Sequence, residues 1–341
     1  MQEADAWAAE NAASDDYAVF SSAEVRREGD GLSFPRAYSL ALAPQLVHTK
    51  SKLLDQLVSS RSYRQVEFLA VGSFFVFQPA TPDRAAAALA QVPSTREAVF
   101  SSTAIPVRAK RSLMKFLKFV LAYDAQPQTE LWHARADTPL AGLLGEEFRL
   151  DAELRAYIVA LTLSLDGQIS VRDGLAAIHR HLTSVGVFGP GFAAVYPKWG
   201  GGSEVAQVAC RAGAVGGGVY MLATALLDVR MPQAGEGLVE IDLSNDVTVR
   251  TRKLVQSSSR VPKDTQRISR LVAVVPSNLS TLFEVVVEGA PIPAVAVVAF
   301  PTGSLTTTDE TTSTYPVYAI VHSSDTGECP VNQSKPFFVL S

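Results

Sequence analysis

Cysteine is nearly absent: Cys210 and Cys329 are the two in 341 residues, without the paired spacing of a disulfide framework or a zinc site. Histidine is scarce too, and His179 with His181 is the pair that invites a metal reading. Two residues apart on a helix, they point about 200° from each other, so they do not share an ion and are expected at the surface. Positive charge is not in excess: 30 Lys and Arg stand against 34 Asp and Glu, a net charge of −4. No basic field therefore favours nucleic acid. No apolar run approaches the roughly 20 residues of a membrane span, and no signal peptide opens the chain. The helical middle of the sequence also lacks an acidic pair, a nucleophile elbow or a Cys/His constellation. What remains is a globular chain of a reducing compartment, large enough for two structural units.

Glycine is present and concentrated. The stretch from Gly189 to Leu222 holds nine of the 22 glycines and three charged side chains, Lys198, Glu204 and Arg211. The run Gly200-Gly201-Gly202 precedes Glu204 and the apolar series Val205, Val208 and Ala209, so a helix is predicted from about Ser203. Glu204 falls in its first turn, where a carboxylate suits the helix dipole, and Arg211 lies two turns on along the same face. Gly216-Gly217-Gly218 is predicted to stop this helix and feed a short strand, Val219 to Leu222. Neither glycine run has the context of a dinucleotide fingerprint, and a core junction is the preferred reading.

In chain order, residues 1–33 read as a mobile lead-in containing a surface helix from Asp5 to Ala13, with nothing that must be buried. Residues 34–44 suit a short strand ending in a proline. Lys52 to Tyr63 carries Leu53, Leu54, Leu57 and Val58 on one helical stripe. Val66 to Phe77 reads as two strands with Gly72-Ser73 as the turn. The pattern becomes helical from about Pro106. Ser112 to Tyr123 sets Leu113, Phe116, Leu117, Val120 and Leu121 on one face, with Arg108 to Lys118 supplying a basic side. That helix reads first as a core helix with a solvated basic face, and second as a membrane-surface or partner helix. Asp151 to Leu165 is a second helix. Ser170 with Asp173 starts a third, which carries Val171, Leu175, Ile178 and Leu182 and stops at Gly186. After Tyr220 the strands return: Leu238 to Leu243 and Val247 to Val255 around Ser244-Asn245-Asp246, then Ile268 to Val275, Phe283 to Glu288, Val295 to Phe300 and Tyr315 to His322. The expected fold is α/β (α+β in this form). Main-domain pieces at 34–105 and 197–341 flank a helical domain at 106–196, and the tail after 326 stays unassigned.

The glycine-rich stretch resembles the second sequence-conserved region of the GDP dissociation inhibitor and Rab escort protein superfamily. That pattern runs Tyr-x-x-(Tyr/Leu)-Gly…Gly-Glu…Gln…(Cys/Ala)-Arg…Gly-Gly-x-Tyr-x-Leu, and is met by Tyr196, Gly200, Glu204, Gln207, Cys210, Arg211, Gly217, Gly218, Tyr220 and Leu222. A second family motif, Arg-x-Tyr-x-(Ile/Val)-Asp-Leu-x-Pro-Lys, aligns with Arg36 to Gln45, with Ala41 in place of the Asp and Gln45 in place of the Lys. The resemblance covers residues 34 to 325. It implies an FAD/NAD(P)-binding-like main domain with an inserted helical domain. The family's opening strand, Gly-x-Gly-x-x-Gly turn and Asn-Pro-x-Tyr-Gly-Gly segment are not found, so the chain is expected to be an interior portion of a longer protein.

The run Tyr196 to Arg211, with its extra residue before Glu204 and its Cys210-Arg211 pair, is similar to the fungal Rab escort subgroup rather than the dissociation inhibitors. The resemblance implies recognition without catalysis or cofactor. A GDP-bound Rab GTPase would be held by Glu204, Arg211, Val219 and Met221, and its isoprenoid tail would lie against Phe116, Leu117, Val120, Ile158 and Leu161. The Rab geranylgeranyltransferase heterodimer would dock on the helical domain, and delivery would involve transient membrane contact from a cytoplasmic pool. A solid helical core explains the five apolar residues equally well. The alternatives are a dissociation inhibitor that recycles prenylated Rab and, from another class, a flavin-dependent oxidoreductase. The latter needs a dinucleotide fingerprint that this sequence does not contain.

Overall fold

The structure is a computed structural model that describes residues 2–29, 31–82, 84–93, 107–232, 237–257, 261–262, 265–285, 287–306 and 309–340. The expected boundary between 105 and 106 lies outside the described residues. Helix α1 (Gln2–Glu10) opens the chain, followed by β1 (Val47–His48), α2 (Lys52–Ser59), β2 (Phe68–Gln78) and β3 (Ala88–Gln91). Five helices come next: α3 (Val107–Val120), α4 (Gln128–Trp132), α5 (Leu140–Glu146), α6 (Ala152–Leu161) and α7 (Val171–Ser184). Strand β4 (Ala194–Pro197) leads into α8 (Gly202–Val215), then β5 (Leu226–Arg230), β6 (Val239–Leu243) and β7 (Thr248–Thr251). Strands β8 (Ser269–Val272), β9 (Val295–Phe300), β10 (Val317–Ser323) and β11 (Ser334–Leu340) complete the chain. Helix and sheet are thus mixed, as the sequence predicts.

The chain divides into two compact units, one of Gly31–Val208 with Arg267–Ser341 and one of Met1–Asp30 with Ala209–Gln266. The larger is built on a mixed sheet of order β1-β4-β2-β9-β10-β11-β8, with β3 on β2. β2 and β9 run parallel, and the other pairs are antiparallel. β9 is a continuous apolar run with both faces covered: Val295, Ala296 and Val297 have no exposed surface.

Several expectations change here. Val66 to Phe77 is not a hairpin but one long strand. Between Val71 and Phe74 it carries one residue more than β9 does between Val295 and Val297, a bulge at Gly72-Ser73. Gly72 is small because Pro293 occupies the space a Cβ would need. Residues 34–44 form a 3₁₀ turn, Pro35–Ala37, and no strand; among the described residues of 283–288 there is none either. The tail after 326 is the strand β11, paired with β10 from Val317↔Leu340 to Ser323↔Ser334.

The helical segment packs its own core. Leu113, Phe116, Phe119 and Val120 of α3 meet Leu140, Leu143 and Leu144 of α5, Leu154 and Ile158 of α6, and Val171, Leu175 and Ile178 of α7. Burial of each such side chain stabilises the fold by about 2 kcal/mol. Caps fix two helix starts. Asp151 accepts from Leu154 N at 2.8 Å, and Ser170 Oγ accepts from Asp173 N at 3.1 Å. Leu121 is exposed because α3 ends at Val120 and the chain leaves the stripe there. His181, expected at the surface, is buried. It lies three residues after Ile178, on the inward stripe, with its ring edge-on to Phe74 (5.0 Å) and His48 (5.9 Å). Burial, with Arg180 adding to it at His48 and His48 adding to it at His181, pushes both imidazoles down to about 4.

In the smaller unit β5, β6 and β7 form an antiparallel sheet. The predicted hairpin turns at Ser244-Asn245-Asp246, where Asp246 takes a left-handed conformation with φ +61°. In α1, Trp7 packs edge-on against Phe20 at 5.3 Å, and Arg27 pairs with Asp5 at 2.6 Å.

Candidate partner-binding site

Helix α8 is the element on which the sequence motifs converge. Its start is set by the segment Tyr196 to Ser203. Trp199 and Gly201 both adopt positive φ, +75° and +62°, so the chain reverses tightly before the first helical turn. Gly201 lies directly on the Tyr196 phenol, where any Cβ would collide. Gly201 N donates to Pro197 O (3.1 Å), Ser203 Oγ donates to Gly200 O (2.9 Å), and Glu204 N donates to Gly201 O (3.1 Å). Glu204 stands half-buried in the first turn and accepts from Gln207 Nε2 at 3.4 Å. The helix ends through the second glycine run: Gly218 N donates to Gly213 O (2.8 Å), and Gly217 has φ +92°. This folds the chain back so that the Tyr220 hydroxyl covers Gly213. The expected strand Val219 to Leu222 is therefore absent, and the segment is an irregular turn.

Glu204 belongs to the larger unit; Arg211, Val219 and Met221 belong to the smaller. Arg211 is exposed on α8. Val219 is 83% exposed and Met221 47%, the latter accepting from Asn245 Nδ2 at 3.8 Å. Exposed apolar side chains and an exposed arginine suit a protein partner better than small-molecule chemistry. Of the five tail-binding candidates, Phe116, Val120 and Ile158 share the helical core with Leu117 packed on it. Leu161 instead joins the cluster of Val71, Phe74, Ala194 and Tyr196. A cleft of about 260 Å³ borders α6, lined by Ala152, Ala156, Val159, Phe300, Pro316 and Tyr318. Among the described residues no group of three or more His, Cys, Asp and Glu is placed to hold a metal.

Sequence reasoning missed a sealed polar cluster under the start of α8. His322, Glu328 and Lys335 have no exposed surface, and neither has Tyr196. The Glu328 carboxylate accepts from the Tyr196 hydroxyl at 2.9 Å, from Lys335 Nζ at 2.6 Å and from His322 Nδ1. Lys335 Nζ also donates to Ser39 O at 3.1 Å, within the Arg36–Gln45 motif. Burial raises the Glu328 carboxyl, but His322 and Lys335 outweigh it and hold the group below its ordinary range. Burial likewise lowers Lys335 against the pull of Glu328, and raises the Tyr196 phenol with help from Glu328. The available signal was slight: polar residues in inward positions of strands β10 and β11.

Comparison with known proteins adds the wider context. The family model described as "GDP dissociation inhibitor" matches residues 4–281. The chain is 31% identical over 282 residues to Rab proteins geranylgeranyltransferase component A of Saccharomyces cerevisiae, covering 81% of this chain and 44% of that protein. It is 29% identical to the protein of the same name from Candida albicans, covering 87% of this chain and 45% of that one. The chain thus spans about half the length of the curated relatives it matches. Among solved structures, the Rab GDI of Plasmodium falciparum superposes with a TM-score of 0.66 at 16% identity, covering 89% of this chain and 67% of that one, which is a likeness of fold.

Proposed function

Because the chain belongs to the GDP dissociation inhibitor family, we propose that it binds a GDP-bound Rab GTPase and presents it to Rab geranylgeranyltransferase, contributing recognition rather than catalysis. The observation that carries the escort reading is the similarity over 81% of the chain to a protein named component A of that transferase. The Trp199-Gly200-Gly201-Gly202-Ser203-Glu204 spelling favours the same subgroup. Glu204 and Arg211 on α8 are the polar anchors, with Val219 and Met221 supplying apolar contact. An arginine at an interface is commonly a dominant contact, through charge-assisted hydrogen bonds. The division into main-domain pieces (34–105 and 197–341) around a helical domain (106–196) belongs to this reading, the latter docking the transferase.

The isoprenoid tail is assigned to Phe116, Leu117, Val120, Ile158 and Leu161. Phe116 and Val120 have no exposed surface, so occupancy requires the helices to part. Work from a cytoplasmic pool with transient membrane contact follows from this role; among the described residues no helix is long and apolar enough to cross a membrane. The deciding experiment is incorporation of labelled geranylgeranyl onto an unmodified Rab by purified transferase, with and without this protein. Stimulation is expected. No stimulation, together with extraction of lipidated Rab from membranes, would move the protein to the dissociation inhibitors. Failure of both would remove the Rab assignment.

A further inference from the structure

The buried cluster costs the protein several desolvated polar groups, and a hydrophobic core at the same place would be no less stable. Its position suggests what it is for. From Glu328 the contacts lead in two directions, and both end at the start of α8. Through its side chain, Glu328 fixes the Tyr196 hydroxyl, and the Tyr196 ring is the surface on which Gly201 rests. Gly201 O in turn accepts from Glu204 N. Through the backbone around it, Trp199 N donates to Thr326 O at 2.8 Å, and the Trp199 ring lies on Gly327, whose φ of +75° and missing Cβ both suit that contact. Ser39 N donates to Glu328 O at 3.0 Å while Ser39 O accepts from Lys335. Ser39 Oγ and Glu204 Oε1 both come near the side-chain position of Gly200. The Arg36–Gln45 segment, the Tyr196–Ser203 turn and the β10–β11 hairpin are therefore joined around Glu328, through its carboxylate, its backbone and the adjoining Thr326–Gly327.

We infer that Glu328, with Lys335 and Tyr196, is a positioning group for the partner-binding face. It holds the strained Trp199–Gly201 turn so that Glu204 is presented in one orientation. The cluster itself touches no partner, because it is sealed. The inference rests on the GTPase-binding reading above. An apolar packing could replace its contribution to stability, but would leave the Tyr196 hydroxyl without an acceptor and the turn free to choose other conformations.

Two variants test this in the full chain. Tyr196→Phe removes one hydroxyl and leaves the Glu328–Lys335 pair intact. The double variant Glu328→Leu/Lys335→Met exchanges the ion pair for apolar volume. Three quantities are read: the thermal midpoint, amide hydrogen exchange at residues 199–204, and affinity for a GDP-loaded Rab. The expected result is a midpoint close to wild type for Tyr196→Phe and modestly lower for the double variant, which leaves the Tyr196 hydroxyl unpaired, with exchange at 199–204 at least tenfold faster, the helical core unchanged, and about tenfold weaker GTPase binding in both. Rescue of neither exchange nor affinity by added stability, for instance in a stabilised background, is also expected, because the defect is one of orientation. Unchanged exchange at 199–204 in both variants would overturn the positioning role. So would accelerated exchange with undiminished affinity. If wild type binds no Rab at all, the GTPase reading falls, and the exchange measurement still decides whether Glu328 holds the turn.

Discussion

The helical core and the carboxy-terminal polar cluster are equally sealed from solvent and held by opposite chemistry. In the first, Phe116, Leu140, Leu143, Leu144, Val171 and Leu175 are interchangeable in kind: each contributes apolar area, and a volume-conserving swap is tolerated. In the second, Tyr196, His322, Glu328 and Lys335 are specific to one another, because each satisfies a group that would otherwise be buried alone. The apolar core supplies stability that is insensitive to detail. The polar cluster supplies a fixed geometry at one carboxylate, and it stands beneath the family's sequence motifs rather than within the bundle.

The sharpest contrast is expected from Glu328→Ala. It strands Lys335 and the Tyr196 hydroxyl in a dry site, a change that costs about 4 to 5 kcal/mol, whereas Glu328→Leu/Lys335→Met, which keeps the volume and removes the stranded ammonium, recovers most of that loss. Chemical denaturation of the two proteins measures the difference, and equal losses would mean that water reaches the site. Phe116→Ala removes a wholly buried ring from the helical core and is expected to cost about 3 to 4 kcal/mol, with no recovery by any polar second change.

Acid distinguishes the regions next. His48 and His181 are held at about 4, while an unfolded histidine titrates near 6.5. Between those values the unfolded chain binds more protons than the folded one, so stability falls as pH drops from about 6.5 towards 4. For His181, the buried member, the whole window amounts to about 3 kcal/mol. His181→Asn is expected to flatten that part of the stability–pH curve, as followed by thermal unfolding across the range. The smallest effect is Ser170→Ala at the α7 cap, about 1 kcal/mol in the same denaturation assay.

The contrast also explains what could be read from the sequence. Helices α3, α6 and α7 were visible because apolar residues recur every three or four positions, and caps such as Ser170 with Asp173 stand beside them. The hairpin β6–β7 was visible from its turn residues. The bulge at Gly72 was not, since a glycine inside a strand and a glycine in a turn look alike until Pro293 fills the missing side chain. His181 was misplaced by comparison with His179 alone; counting from Ile178 puts it inside. The polar cluster has little local pattern beyond inward polar residues on two strands: Tyr196 and Glu328 are 132 residues apart, and only the pairing of β10 with β11 brings Lys335 to His322. Within the candidate site, Glu204 and Arg211 were marked by resemblance, and the groups that hold the turn before them were not.

Titration of this protein with a GDP-loaded Rab, set beside Arg211→Ala, tests whether α8 carries the proposed GTPase-binding face. The expected result is measurable binding by wild type and a loss of about 2 kcal/mol, roughly thirtyfold in affinity, in the variant, with the thermal midpoint unchanged because Arg211 is exposed. Wild-type binding that is indifferent to Arg211→Ala, or no binding by either protein, would contradict it.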